Sequence, residues 1–90
     1  MDWDEIEAIF GALASFDDIR VTKMLGELLG ERNLSRDKGV VRKQILAAQA
    51  LGSLGTDGAA RTLKQHAGRW HLSGPVKDAV AQAINQVGRP

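Results

Sequence analysis

His66 and His71 are the only two histidines in the chain, and metal chemistry is the first possibility they raise. They stand five residues apart, without a cysteine anywhere and without a suitably spaced carboxylate. Zinc sites draw on Cys and His pairs at tighter, recurring spacings, so this pair does not read as a ligand set. Gly52, Gly55 and Gly58 form G-x-x-G-x-x-G. That spacing matches neither the dinucleotide fingerprint nor a P-loop, and no strand precedes it, so helix punctuation explains it. The acids Asp4, Glu5, Glu7, Asp17 and Asp18 could pair for acid–base work, but they sit where helix starts favour negative charge. Ser15, Ser35, Ser53 and Ser73 have no recognisable His/Asp partners. No catalytic constellation emerges, no cofactor is implied, and the chain is expected not to be an enzyme.

The elements that would carry any site come next. Ninety residues make one small domain with a thin core. Only Trp3, Phe10, Phe16 and Trp70 are aromatic, so aliphatic residues and alanine must fill that core. No apolar run approaches the roughly 20 residues that span a bilayer, and no signal-peptide core is visible. A soluble, cytoplasmic protein is expected. Charge is uneven: residues 1–18 hold six acids and no base, and the twelve bases all follow.

Apolar periodicity predicts five helices and no strand. The first has Asp2 as N-cap, with Glu5 in a capping-box position, and an apolar stripe of Trp3, Ile6, Phe10 and Leu13, joined by Ile9 and Phe16. The second starts at Asp17-Asp18 and carries Val21, Leu25, Leu28 and Leu29, with Gly30 expected to close it. The third, Val40 to Leu54, is apolar on most sides and is expected at the centre. Gly55 should end it in a left-handed conformation, and Thr56 or Asp57 should cap the fourth, which runs through Ala59, Ala60, Leu63 and Ala67 to Gly68. Pro75 suits the first position of the fifth, which carries Val76, Val80, Ala83, Ile84 and Val87 and closes at Gly88.

The helices repeat. A shift of 33 residues lays Ala48-Gln49-Ala50-Leu51 on Ala81-Gln82-Ala83-Ile84, and Leu54-Gly55 on Val87-Gly88. A shift of 38 lays Ala50-Leu51 on Ala12-Leu13, Leu54 on Phe16, Leu63 on Leu25 and Gly68 on Gly30. Self-similarity at this period marks a solenoid of helical hairpins. "VKDAVAQAINQVG", Val76 to Gly88, and "AAQALGSLGTDGAARTL" resemble HEAT-like repeats, especially the short Ala-rich kind of phycobilisome lyases. Lys77 stands at that family's Arg position. In the third helix Lys43 and Gln44 replace its Val-Arg pair, and in the first Ile9 and Phe10 replace alanines.

The resemblance implies an all-α fold, a short solenoid of about five helices in HEAT-like hairpins, with residues 1–90 a single repeat domain. Helices one, three and five would be the second helices of their units and line the concave face. Because the chain begins and ends on such a helix, it is expected to be a domain or a piece of something longer.

The functional expectation is a non-catalytic protein–protein interaction module or scaffold. Its partner would be another protein or the rest of a larger chain, with head-to-tail self-association as a further option and no role for a membrane. The expected contact residues are Arg42, Gln49 and Ser53 on the third helix and Lys77, Gln82 and Gln86 on the fifth. Trp70 and His71 in the last connector would serve as an alternative anchor. A second reading is nucleic-acid backbone binding through a basic rim of Arg32, Arg36, Lys38, Arg69 and His71, although no aromatics are interleaved with those bases. A weaker third, by family analogy alone, is a phycobilin lyase-like protein.

Overall fold

The computed structural model describes residues 2–31, 37–67 and 72–87. Among them lie five helices and no strand: α1 (Trp3–Leu13), α2 (Ile19–Gly30), α3 (Lys38–Leu54), α4 (Asp57–His66) and α5 (Gly74–Val87). Each of the first four starts at a side-chain cap. Asp2 Oδ1 accepts from the Asp4 amide, Asp18 from Arg20, Asp37 from Gly39 and Val40, and Thr56 Oγ1 from Ala59. These oxygens satisfy amides that have no partner within the first helical turn. The Arg20 guanidinium also reaches back to Asp18 at 2.9 Å, and this hydrogen bond holds the Asp18 carboxyl below its ordinary pKa.

Gly55 closes α3 as expected. Its φ is +63°, the only positive-φ glycine among the described residues, and its amide donates to the Leu51 carbonyl. A β-carbon in this left-handed region costs about 1–2 kcal/mol. Gly55→Val should therefore lower stability by about that amount in a denaturant melt, and an unchanged midpoint would remove the claim.

Gly30 behaves differently from its expected role. It lies inside α2, and Glu31 is the cap. Its smallness serves packing instead: a β-carbon there would stand 3.3 Å from His66 Nε2. Pro75 takes the second rather than the first position of α5. Gly68 and Gly88 lie outside the described residues.

The expectation of a central third helix holds. α3 packs against each of the other four helices, most extensively against α5, and α1 packs on α3. α2 and α4 pack on each other, and each also packs on α3. Alternate helices are thus neighbours: α1, α3 and α5 in one row, α2 beside α4. The core comprises aliphatic residues and alanine, with Leu25, Leu29, Leu51, Leu63, Val76 and Val80 enclosed and Phe10 the one buried aromatic among the described residues. Close approach replaces bulk. A β-carbon on Gly26 would meet Thr62 Cγ2 at 2.7 Å, and one on Gly52 would meet Ala83 Cβ at 3.0 Å. The Cα radius of gyration, 12.0 Å, is that of a compact chain of this length, about 12 Å. No described helix is long and apolar enough to cross a membrane.

Candidate functional site

On α3, Arg42, Gln49 and Ser53 are separated by seven and four residues, which sets them within about 40° of one another around the axis. All three are exposed. The opposite side of the helix carries Gln44, Ala47, Ala48 and Leu51, which are buried. Gln82 and Gln86 on α5 are also exposed, and Gln86 leans toward α3, its Oε1 2.9 Å from where a Gly52 β-carbon would stand. Gln49 and Ser53, which border a groove between α3 and α1, together with Gln82 and Gln86 on α5, make up an exposed, polar and uncharged set.

Two of the expected contact residues do not join it as free groups. Lys77 is exposed but lies about 140° around α5 from Gln82 and about 180° from Gln86, on the opposite flank. Arg42 is exposed yet engaged with α1. Its Nη2 donates to Glu7 Oε1 at 2.8 Å, and its guanidinium carbon sits 4.3 Å from the Trp3 ring centroid. Arg42 is therefore not a free contact residue: it ties α1 to α3. An exposed ion pair contributes up to about 1 kcal/mol, and a cation over an exposed indole about 0.5–1 kcal/mol. Arg42→Glu removes both and faces Glu7 with a like charge. We expect a loss of about 1–2 kcal/mol in a denaturant melt, with a red shift of tryptophan emission as α1 loosens. A midpoint matching wild type would show that these contacts do not hold α1 to α3. Trp70 and His71, together with Arg32, Arg36 and Arg69 of the basic rim, lie outside the described residues. Lys38 opens α3 and is exposed.

Gln44 stands out in the sequence only as a departure from the repeat's Val-Arg pair, with no role assigned to it. It is buried, and its Nε2 donates to the carbonyls of Leu28 at 3.2 Å and Glu31 at 2.9 Å. The end of α2 is thereby satisfied from α3, joining the two helices of one hairpin. Register gave no such signal, since a shift of 33 residues places Gln44 on Lys77, which is exposed. Gln44→Leu would remove the side-chain donor to the Glu31 carbonyl, while the Leu28 carbonyl keeps the Glu31 amide, at a cost of about 1 kcal/mol. Thermal melts read this directly, and a neutral result would mean that water replaces the amide.

His66, considered above as a ligand, is a core histidine. Its Nδ1 stands 2.8 Å from the Thr62 carbonyl, which can only accept, so Nδ1 carries the proton. No group of three or more metal-ligating side chains occurs among the described residues. Between α2 and α4 runs a shallow groove of about 630 Å³, floored by Gly26, Gly30 and Gly58 and edged by Lys23, Glu27 and Arg61. It mixes both charges and converges on no single chemistry.

No family model, curated protein or solved structure significantly matches this chain.

Proposed function

We propose that the domain is a non-catalytic interaction module built as a short HEAT-like solenoid, and that it recognises another protein through the row formed by α1, α3 and α5. The observation that carries this reading is the agreement between repeat register and packing. Ala83, which the 33-residue shift lays on Ala50, packs on α3 at Gly52. Ala50 itself is buried and borders α1 with Phe10 and Ala14. The same stripe thus faces the preceding helix in both units, as stacked repeats require. Such a row presents one continuous face, and here that face is polar and uncharged at its centre.

The test is affinity capture from the native host with wild type and with a Gln49→Arg/Gln82→Arg variant. Both positions are exposed, so the variant should melt like wild type and lose the captured protein. Retention of that protein by the variant would remove this exposed polar set from the reading. A salt titration against random duplex DNA separates the nucleic-acid alternative, because phosphate binding falls steeply with salt. A flat response favours the protein partner.

A further inference from the structure

The four large apolar side chains left exposed among the described residues are Ile9, Phe16, Ile19 and Met24. All fall within a span of sixteen residues at the α1–α2 end of the chain. Along α1, Glu5, Ile9, Ala12 and Phe16 follow one another at four, three and four residues, the spacing of a single helical stripe. Phe16 lies three residues past the helix, at a turn where its amide donates back to the Leu13 carbonyl.

This stripe has two counterparts within the molecule. The 38-residue shift lays Ile9, Ala12 and Phe16 on Ala47, Ala50 and Leu54 of α3, and a further 33 lays those on Val80, Ala83 and Val87 of α5. On α5, Val80 and Ala83 are buried, with Ala83 against Gly52 of α3; on α3, Ala47 and Ala50 are buried too. In α1 the equivalent residues are exposed: Ile9 by 46% and Phe16 by 59%.

The receiving surfaces repeat as well. Glu7 and Phe10 of α1 and its C-cap Ala14 share a pocket with Ala50, and the same shift lays them on Ile45, Ala48 and Gly52 of α3. Each receiving helix therefore offers residues at i, i+3 and i+7, ending in a small one.

We propose that the exposed stripe of α1 is a docking surface for a basic amphipathic helix from another protein, one that presents such an i, i+3, i+7 stripe ending in alanine or glycine. This builds on the stacked-repeat reading above but concerns a different surface from the α3–α5 row. Charge selects the occupant. Glu5 lies on the stripe with no ion-pair partner among the described residues, and Asp2, Asp4 and Asp17 lie nearby in a segment that holds no base. The helix already packed on α1 is itself basic: α3 has Lys38, Arg42 and Lys43 and no acid, and Arg42 meets Glu7.

A second copy of this chain is a poor occupant. Its α5 carries Asp78, Ala81 and Asn85 at the receiving positions, which brings an acid toward Glu5 and an amide where the small residue belongs. Complementary charge would set orientation, and the buried apolar side chains most of the affinity.

The probe is a synthetic peptide of residues 38–54, acetylated and amidated, titrated into the full chain at low salt and followed by fluorescence polarisation. It has both the receiving stripe and the required charge. Saturable 1:1 binding is expected. Ile9→Asp and Phe16→Asp should each weaken it by about tenfold or more without moving the melting temperature, because both side chains are exposed in the free protein. A peptide with Arg42→Glu and Lys43→Glu should lose most of its affinity. Absence of saturable binding would overturn the proposal, as would wild-type affinity in either α1 variant. Sedimentation showing a dimer of the chain that Ile9→Asp dissociates would also overturn it, by making a second copy the occupant. Loss of the host protein on changing Gln49 and Gln82 is read separately, so either proposal can fail while the other stands.

Discussion

Leu51→Asp is expected to abolish cooperative folding or to cost at least about 4 kcal/mol, the scale on which an unpaired buried charge destabilises a domain. Leu51 is fully enclosed in the last turn of α3, the helix that touches all four others. A carboxylate there has no solvent to stabilise its charge, because Leu51 is fully buried. Small domains have only about 5–15 kcal/mol to lose, so one such substitution removes a large fraction. Gln49→Ala, two residues earlier but exposed, should change stability by less than about 0.5 kcal/mol. Urea unfolding monitored by circular dichroism compares the pair. Similar midpoints would show that α3 is not the centre of the fold.

Gly52→Leu is the second large effect. The α3–α5 seam closes over this glycine, and a β-carbon would lie 2.9 Å from Gln86 Oε1 and 3.1 Å from Ala83 Cα. Gln86 has an exposed, flexible side chain and can swing away, but the backbone of α5 cannot yield without moving the helix. Overpacking costs about 1–3 kcal/mol, more where backbone must shift, whereas glycine replacement in a helix interior returns only about 1 kcal/mol. The net effect is a loss, and a double-mutant cycle locates it. Ala83→Gly should relieve part of the cost of Gly52→Ala, because the two β-carbons would otherwise stand 3.0 Å apart. Gly11→Ala is the contrasting case: nothing lies within 4 Å of its β-carbon position, and it should be neutral or stabilising. Additive cycle energies would mean that α5 meets α3 elsewhere.

These two residues also separate what could be read from the chain from what could not. The sequence alone was enough for five helices, the side-chain cap at Asp2, a second start at Asp17-Asp18 and a fourth at Thr56 or Asp57, the left-handed end at Gly55 and the burial of α3. Each depends on neighbours within a few residues: a capping oxygen reaches amides two or three positions on, and a 3.6-residue period reports the buried side directly. The 33- and 38-residue registers were legible for the same reason, since a repeated unit repeats its local pattern.

The roles of Gly30, Gln44, Arg42 and Lys77 were decided only by tertiary structure. A glycine beside the end of a helix reads locally as a terminator, and only the approach of His66 reveals that Gly30 is small for a neighbour's sake. Gln44 and Gln49 are both glutamines in an apolar run, yet the first caps the end of α2 while the second faces outward. Arg42 could be recognised as a base on an exposed face, but Trp3 and Glu7 lie 39 and 35 residues away in sequence and reach it only because α1 docks on α3. Side-chain partnership across such distances is set by how helices are placed against one another. The chain's local periodicities specify the helices and their buried sides; the close approaches at glycine and alanine decide which polar groups meet.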